Sequence, residues 1–226
     1  MNLRFWLRII IRFAIFIAAL FGSAGTVAWP AAWVMLVEFF AGCIVIFAIL
    51  AREDPALLSE RLKSRIHSAG QPLWDQLLMA LFLVLFMGWM VLMGLDAGRF
   101  SWLRLPVAVE VAGDVLLVVG FWLMRCVFRA NPFLIPVVRI QRDRGQTVVS
   151  TGPYAIVRHP MYSSLLLLFV AMPMAVGSGW GLVASVALSA LIVLRTALED
   201  RTLANELEGY VAYRSRIRYR LIPLIW

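Results

Sequence analysis

Apolar residues run along this chain in blocks too long and too continuous for the mixed patterns of a water-soluble fold. A helix needs about 20 apolar residues to cross a bilayer core, and several windows supply them. Residues 13–28, extended backward by Phe5, Trp6 and Leu7, make the first. Residues 31–50, 74–95 and 107–128 make three more, and residues 161–177 and 180–197 form a close pair around Gly177-Ser178-Gly179. The pattern predicts an all-α integral membrane protein of about six transmembrane helices, the last two folded as a C-terminal hairpin.

The segments between the blocks differ in character. In residues 51–73, Leu57, Leu58, Leu62 and Ile66 recur at near-helical spacing among charges, which predicts an amphipathic helix on the membrane surface. Residues 130–158 are broken by Asn131-Pro132, Pro136 and Gly145, and Thr151-Gly152-Pro153 reads as a turn. Residues 199–226 are charged, then aromatic and basic. No internal repeat or linker marks a second domain. We expect a single helical membrane domain over 1–226, with 1–128 as transmembrane scaffold and polar chemistry confined to 129–226.

Charge gives this arrangement a direction. The 226 residues are 62% hydrophobic and 15% charged, whereas soluble domains are about one quarter charged. The net charge of +8 is carried unevenly. Arg4, Arg8, Arg12, Arg52, Arg61, Lys63, Arg65, Arg139, Arg142, Arg144, Arg158 and the arginines of the tail fall on one side of a six-span chain, against Arg99 and Arg104 on the other. Retained cytoplasmic segments are enriched in Lys and Arg, so both termini are expected in the cytoplasm, in a bacterial-type inner membrane. Attraction to anionic lipid headgroups accounts for such a basic face without nucleic acid. The first block also has the arginines and small residues of a signal peptide. We retain it as a span, because removing it would invert every later loop. Cys43 and Cys126 fall inside spans, and with two histidines at unrelated spacings they form no metal pattern and no disulfide framework.

One stretch stands out: residues 151–164, TGPYAIVRHPMYSS, at the mouth of the fifth block. Part of it has an ordinary explanation. Proline suits the first turn of a helix, arginine suits an inner membrane edge, and tyrosine belongs at the interface. The short 177–179 turn, however, folds the last two blocks together and brings residue 159 to the same face as Glu199-Asp200. Histidine, tyrosines, carboxylates and arginines then converge beside apolar surface.

These residues carry a resemblance. VVSTGPYAIVRHPMY, followed by EDRTL and GYVAYRSRIRYRLIP, resembles the isoprenylcysteine carboxyl methyltransferase family, which broadly includes phospholipid methyltransferase-like membrane enzymes. The likeness covers roughly residues 130–226. It implies a site for S-adenosylmethionine built from Gly152, Tyr154, Val157, Arg158, His159, Pro160, Tyr162, Glu199, Asp200, Tyr210 and Tyr213. Arg216, Glu199 and Tyr162 would face the reacting group. It further implies a lipophilic acceptor drawn from the bilayer, such as the carboxyl group of an isoprenylcysteine-like substrate, membrane lipids as partners, no metal and no nucleic acid. Two positions depart from the family pattern, Ser164 where glycine is common and Asp200 where a second glutamate is usual.

Elementary chemistry is compatible with that expectation. Tyrosine faces attract a sulfonium cation, Glu199 can accept from ribose hydroxyls or an amino group, and Arg158, Arg216 or free amides can hold a carboxylate. A GxGxxG fingerprint is absent, which argues against a soluble-type dinucleotide fold. A carboxylate acceptor is already ionised at neutral pH and needs no base. An amine or thiol would need one, with Glu199 or His159 as candidates. A reductase of the sterol-reductase type using NADPH, and a non-catalytic membrane scaffold, are the competing readings. Glu38 and Asp114 lie within spans, where ionisable groups are costly and often functional. A pairing partner, a water-lined crevice or substrate contact would each account for them. Arg125 and Arg195 sit one turn inside the inner edge, Arg195 near enough to Glu199 to face a cofactor.

Overall fold

The apolar blocks become long helices because a chain in hydrocarbon must satisfy its backbone internally. The computed structural model describes residues 3–63 and 70–226, with the side chains of 3–6, 8, 9 and 12 also left out. Arg65 and Ile66 of the expected amphipathic helix therefore lie outside the described residues. Helix α1 spans Leu3–Ala24 and α2 spans Pro30–Glu53. Short α3 spans Pro55–Lys63, and α4, Leu73–Met93, runs on into a π-helical segment, Gly94–Phe100. Helix α5 spans Val107–Ala130, α6 Pro160–Ala175, α7 Gly179–Glu206 and α8 Tyr210–Arg216. The described residues contain no strand, only an isolated bridge between Arg104 and Ser178.

Four of these helices are long and apolar enough to cross a membrane: α2, α4 with its π extension, α5 and α7. Two shorter apolar helical stretches accompany them, Phe13–Ala24 within α1 and α6. At 16 residues α6 is about 24 Å long, and most of its length is covered by neighbours. Valines and leucines on α2, α4, α5 and α7 remain exposed, among them Val37, Val84, Val118 and Val186, which is the surface expected to meet lipid tails.

Close helix approach relies on glycine, as membrane helices generally do. A Cβ on Gly113 of α5 would lie 2.3 Å from the Ala175 amide nitrogen, and one on Gly120 would lie 2.6 Å from Leu168 of α6. These two glycines, two turns apart, let α5 and α6 pack backbone to backbone. Helix α6 is therefore held in place before any polar contact is counted.

Away from α3, the bundle is closed by Asp96 in the π segment. It is fully buried and accepts from the Leu103 amide at 2.9 Å, Ser178 Oγ at 2.7 Å and the Trp180 amide at 3.0 Å. Ser178 in turn caps α7 by accepting from the Gly181 amide. Asp96 thus pins the 176–179 turn to the end of α4, fixing the angle of the α6–α7 hairpin.

Candidate active site

The site lies at the other end of that hairpin, where α6 begins and α7 ends. Proline at the first position of α6 follows His159, so the chain turns into the helix with the His159 side chain buried beside α7. His159 is 5% exposed and Arg158 is 5% exposed. Just upstream, Gly152 holds φ +58°, a left-handed conformation suited to glycine. It opens the tight turn Gly152–Ala155 that carries Tyr154.

Asp200 organises the polar side of this cluster. At 1% exposure, its carboxylate accepts from Arg158 Nε at 2.8 Å and Nη2 at 3.1 Å. It also accepts from the Tyr210 hydroxyl at 2.8 Å and Arg220 Nε at 3.0 Å. His159 Nε2 lies 3.2 Å from the same carboxylate, which requires the proton on Nε2. The tail is drawn in by the same residues. Arg158 Nη1 donates to the carbonyls of Ile217 and Arg218, both at 2.7 Å. The backbone amides of Arg158 and His159 donate to Tyr219 and Arg220 carbonyls at 3.0 and 2.9 Å. Arg158 and Asp200 are therefore engaged with each other and with the tail.

Glu199, the next residue on α7, points differently. Its Oε2 accepts the Tyr162 hydroxyl, and its Oε1 stands 4.0 Å from His159 Nδ1. The His159 and Tyr162 rings stack with centroids 6.0 Å apart. Tyr162, His159 and Glu199 thus form one wall, braced from behind by Asp200.

A second buried pair supports that wall. Arg195, one turn before Glu199, lies with its guanidinium carbon 5.5 Å from the Tyr162 ring centroid. Its Nε donates to Asp75 at 2.8 Å and its Nη2 to the Pro136 carbonyl at 2.7 Å. Asp75, near the start of α4 and fully buried, also accepts from Gln71 at 2.7 Å and the Val138 amide at 3.0 Å. Through these contacts the irregular 131–149 segment is strapped across α4 and α7. Sequence reasoning passed over Asp75, because a carboxylate near the edge of an apolar block is also where solvated acids sit. Only its partner 120 residues away distinguishes the two cases.

These walls enclose a cavity of about 620 Å³, within the size range of small-molecule sites. Its polar end is lined by Tyr154, Arg158, His159, Tyr162, Glu199, Tyr210 and Tyr213. Its apolar arm runs between Phe47 and Leu50 of α2, Met79 and Phe82 of α4, Phe121 and Met124 of α5, and Leu165 of α6. The 1–128 part, read from sequence as scaffold, thus supplies much of the cavity wall. Of the remaining expected site residues, Val157, Pro160 and Asp200 are buried behind the lining, and Gly152 shapes the turn without facing the cavity. Arg216 is exposed on α8 and does not line it.

Several hydroxyls at the polar end are already committed. Tyr210 donates to Asp200, Tyr213 to the Tyr154 carbonyl at 2.7 Å, and Asn131 donates to the Tyr154 hydroxyl at 2.8 Å. Burial pushes the Tyr213 hydroxyl up to about 12 and raises Tyr154 and Tyr210 further, Tyr210 also through the Asp200 charge. All three stay neutral at physiological pH and can offer aromatic surface. Glu38 and Asp114, singled out within spans, do not line the cavity; each has a side-chain oxygen buried without a hydrogen-bond partner, as does Glu110.

Comparison with known proteins places this geometry. The family model for phospholipid methyltransferases matches residues 109–208. Over these residues the chain is similar to the phospholipid methyltransferases, a group of membrane methyltransferases. The match runs from α5 through the α6–α7 hairpin and so takes in His159, Tyr162, Glu199 and Asp200. No curated protein matches the chain.

Proposed function

We propose that this protein is an integral-membrane methyltransferase that uses S-adenosylmethionine and acts on a lipophilic acceptor entering from the bilayer. The observation that carries the proposal is the single cavity joining a polar end of Glu199, Tyr162 and His159 to an apolar arm between α2, α4, α5 and α6. A water-soluble methyl donor and a lipid-soluble acceptor need such a junction.

The residues at the polar end fit the donor. Glu199 has one oxygen held by Tyr162 and the other facing His159 Nδ1 across 4.0 Å, so it can take an ammonium or ribose hydroxyl. The rings of Tyr154, Tyr210 and Tyr213, their hydroxyls already engaged, can pack an adenine or face a cation. Arg158 and Asp200 fix the tail against the site. When bound, S-adenosylmethionine would supply an electrophilic methyl group for the acceptor. In-line displacement is driven chiefly by positioning, which the Arg195-braced Tyr162 and Glu199 supply.

For the acceptor we propose a carboxylate, as in an isoprenylcysteine-like substrate, which requires no base. Glu199 beside Tyr162 favours one second reading, a lipid amine whose proton Glu199 would take. The six spans, the cytoplasmic placement of both termini and the inner-membrane location belong to the same proposal, as does the treatment of 1–226 as one unit. It is tested by incubating the protein in vesicles with methyl-labelled S-adenosylmethionine and either a farnesylated cysteine or phosphatidylethanolamine. Base-labile label in the first supports the ester; base-stable label in the second supports the amine. Label in neither, with NADPH oxidised instead, would favour a reductase.

A further inference from the structure

Arg61 lines the same cavity, on α3 at its basic end, and the site described above leaves it without a role. Its guanidinium carbon lies 4.6 Å over the Phe128 ring, and its Nη1 donates to the Leu134 carbonyl at 2.8 Å. No other hydrogen bond of its fork is recorded among the described residues. The neighbouring acid Glu60 is directed to Lys63 at 3.0 Å and Arg139 at 3.4 Å, and Arg61 has no carboxylate at ion-pair distance among the described residues. Residues 64–69, outside them, read Ser-Arg-Ile-His-Ser-Ala and carry no acid.

Arg61 is half-buried, and a cation partly withdrawn from water without a counter-charge is costly. Burial pushes Arg61 down to about 10. By contrast, the three other arginines that line the cavity are matched: Arg158 by Asp200, Arg195 by Asp75 and Arg139 by Glu60 and Asp143. Arg61 alone among them has no carboxylate at ion-pair distance among the described residues, and its remaining donors lie in the planar arrangement that suits carboxylate or phosphate oxygens. Around it the lining is apolar, with Leu58, Leu62, Phe128 and Leu134. A small hydrophilic anion would gain nothing from those walls. An amphiphile whose anionic group is attached to a hydrocarbon chain would gain from both.

We propose that Arg61 is an acceptor-anchoring residue: its guanidinium binds the anionic carboxylate or phosphate oxygens of a lipid whose chain occupies the cavity's apolar arm. The inference rests on the methyltransferase reading for calling that lipid the acceptor, but the anion subsite itself does not.

The test is equilibrium binding of radiolabelled dodecyl phosphate and dodecanoate to the full chain in neutral maltoside micelles, with 1-dodecanol and inorganic phosphate as comparisons. Arg61→Gln should weaken binding of at least one anionic amphiphile tenfold or more and leave 1-dodecanol unaffected. Arg61→Lys should retain an intermediate affinity, since it keeps the charge and loses the fork. Which of the two amphiphiles responds identifies the oxyanion. Equal affinities in wild type and Arg61→Gln for both would overturn the proposal. So would inorganic phosphate competing as well as dodecyl phosphate, which would make the subsite one for free anions. Calorimetry with S-adenosylmethionine separates the two claims. Failure of the wild type to bind it counts against the methyltransferase reading, whereas an Arg61→Gln variant that loses donor affinity as well counts against a separate anion subsite.

Discussion

Replacing Asp200 with asparagine removes one charge and should release a long stretch of chain. The Asp200 carboxylate is 1% exposed and receives Arg158, Tyr210, Arg220 and His159. Arg158, itself 5% exposed, would be left buried without a counter-charge. Removing one member of a buried ion pair costs about 3–5 kcal/mol, and asparagine still accepts through its carbonyl, so about 3 kcal/mol is the expected loss. That corresponds to roughly a hundredfold increase in the population of the open tail. Arg158 also holds the Ile217 and Arg218 carbonyls, so the loss should appear as undocking of residues 209–226. Limited trypsin digestion reads it directly, because Arg214, Arg216 and Arg218 are exposed and cleavage reports the open population when closing is fast. Arg220→Gln, whose side chain is 25% exposed, should accelerate cleavage only a few-fold. A folded Asp200→Asn variant cut within twofold of the wild-type rate would refute the assignment of Asp200 as the tail's anchor.

Other consequences can be measured separately. Glu199→Gln should weaken S-adenosylmethionine binding about tenfold or more by calorimetry, the loss expected of a charge-assisted hydrogen bond; unchanged affinity would remove Glu199 from the donor site. Tyr162→Ala should chiefly lower the transfer rate, and His159→Ala chiefly the donor affinity. Gly113→Ala should destabilise by about 1–3 kcal/mol, because its Cβ would meet the Ala175 backbone at 2.3 Å; an unchanged melting temperature would count against that packing. Tyr213 is held protonated up to about 12 by burial, while an unfolded tyrosine ionises near 10. Its contribution to stability is therefore complete below pH 10 and lost as pH rises towards 12. The denaturation midpoint should fall across that window, less steeply in Tyr213→Phe, and equal slopes would contradict it. In a background lacking Cys43 and Cys126, cysteine at the exposed Trp102 should react with an external reagent and cysteine at the exposed Ala56 should not. The reverse would invert the topology. Ser178, although in a loop by sequence, is fully buried and unsuited as a probe.

The sequence made the helical scaffold and the α6–α7 junction legible for reasons of length and spacing. Apolar blocks of bilayer length have few alternatives to helix, and a three-residue turn forces two helices of similar length to end together. That is why His159 and Glu199 meet, as expected. Tertiary pairing was harder to see. Asp75 and Arg195 each look like interfacial charges, and Phe47, Phe82 and Met124 look like generic membrane residues until their common cavity appears. Arg216 lies elsewhere. On α8 the buried residues are Tyr210 and Tyr213, packed with the partly buried Ile217 at the helix C-cap, and Arg216 is exposed.

We propose that methyl transfer takes place at the polar end of a cavity whose other arm is lined by apolar side chains. Its most direct test supplies the vesicle-bound protein with methyl-labelled S-adenosylmethionine and a total lipid extract, then partitions the products between water and organic solvent. Label should enter the organic phase with the wild type, and most of it should be lost in Tyr162→Ala with the protein still folded. Label confined to water-soluble products, or equal organic label from the Tyr162→Ala variant, would contradict it.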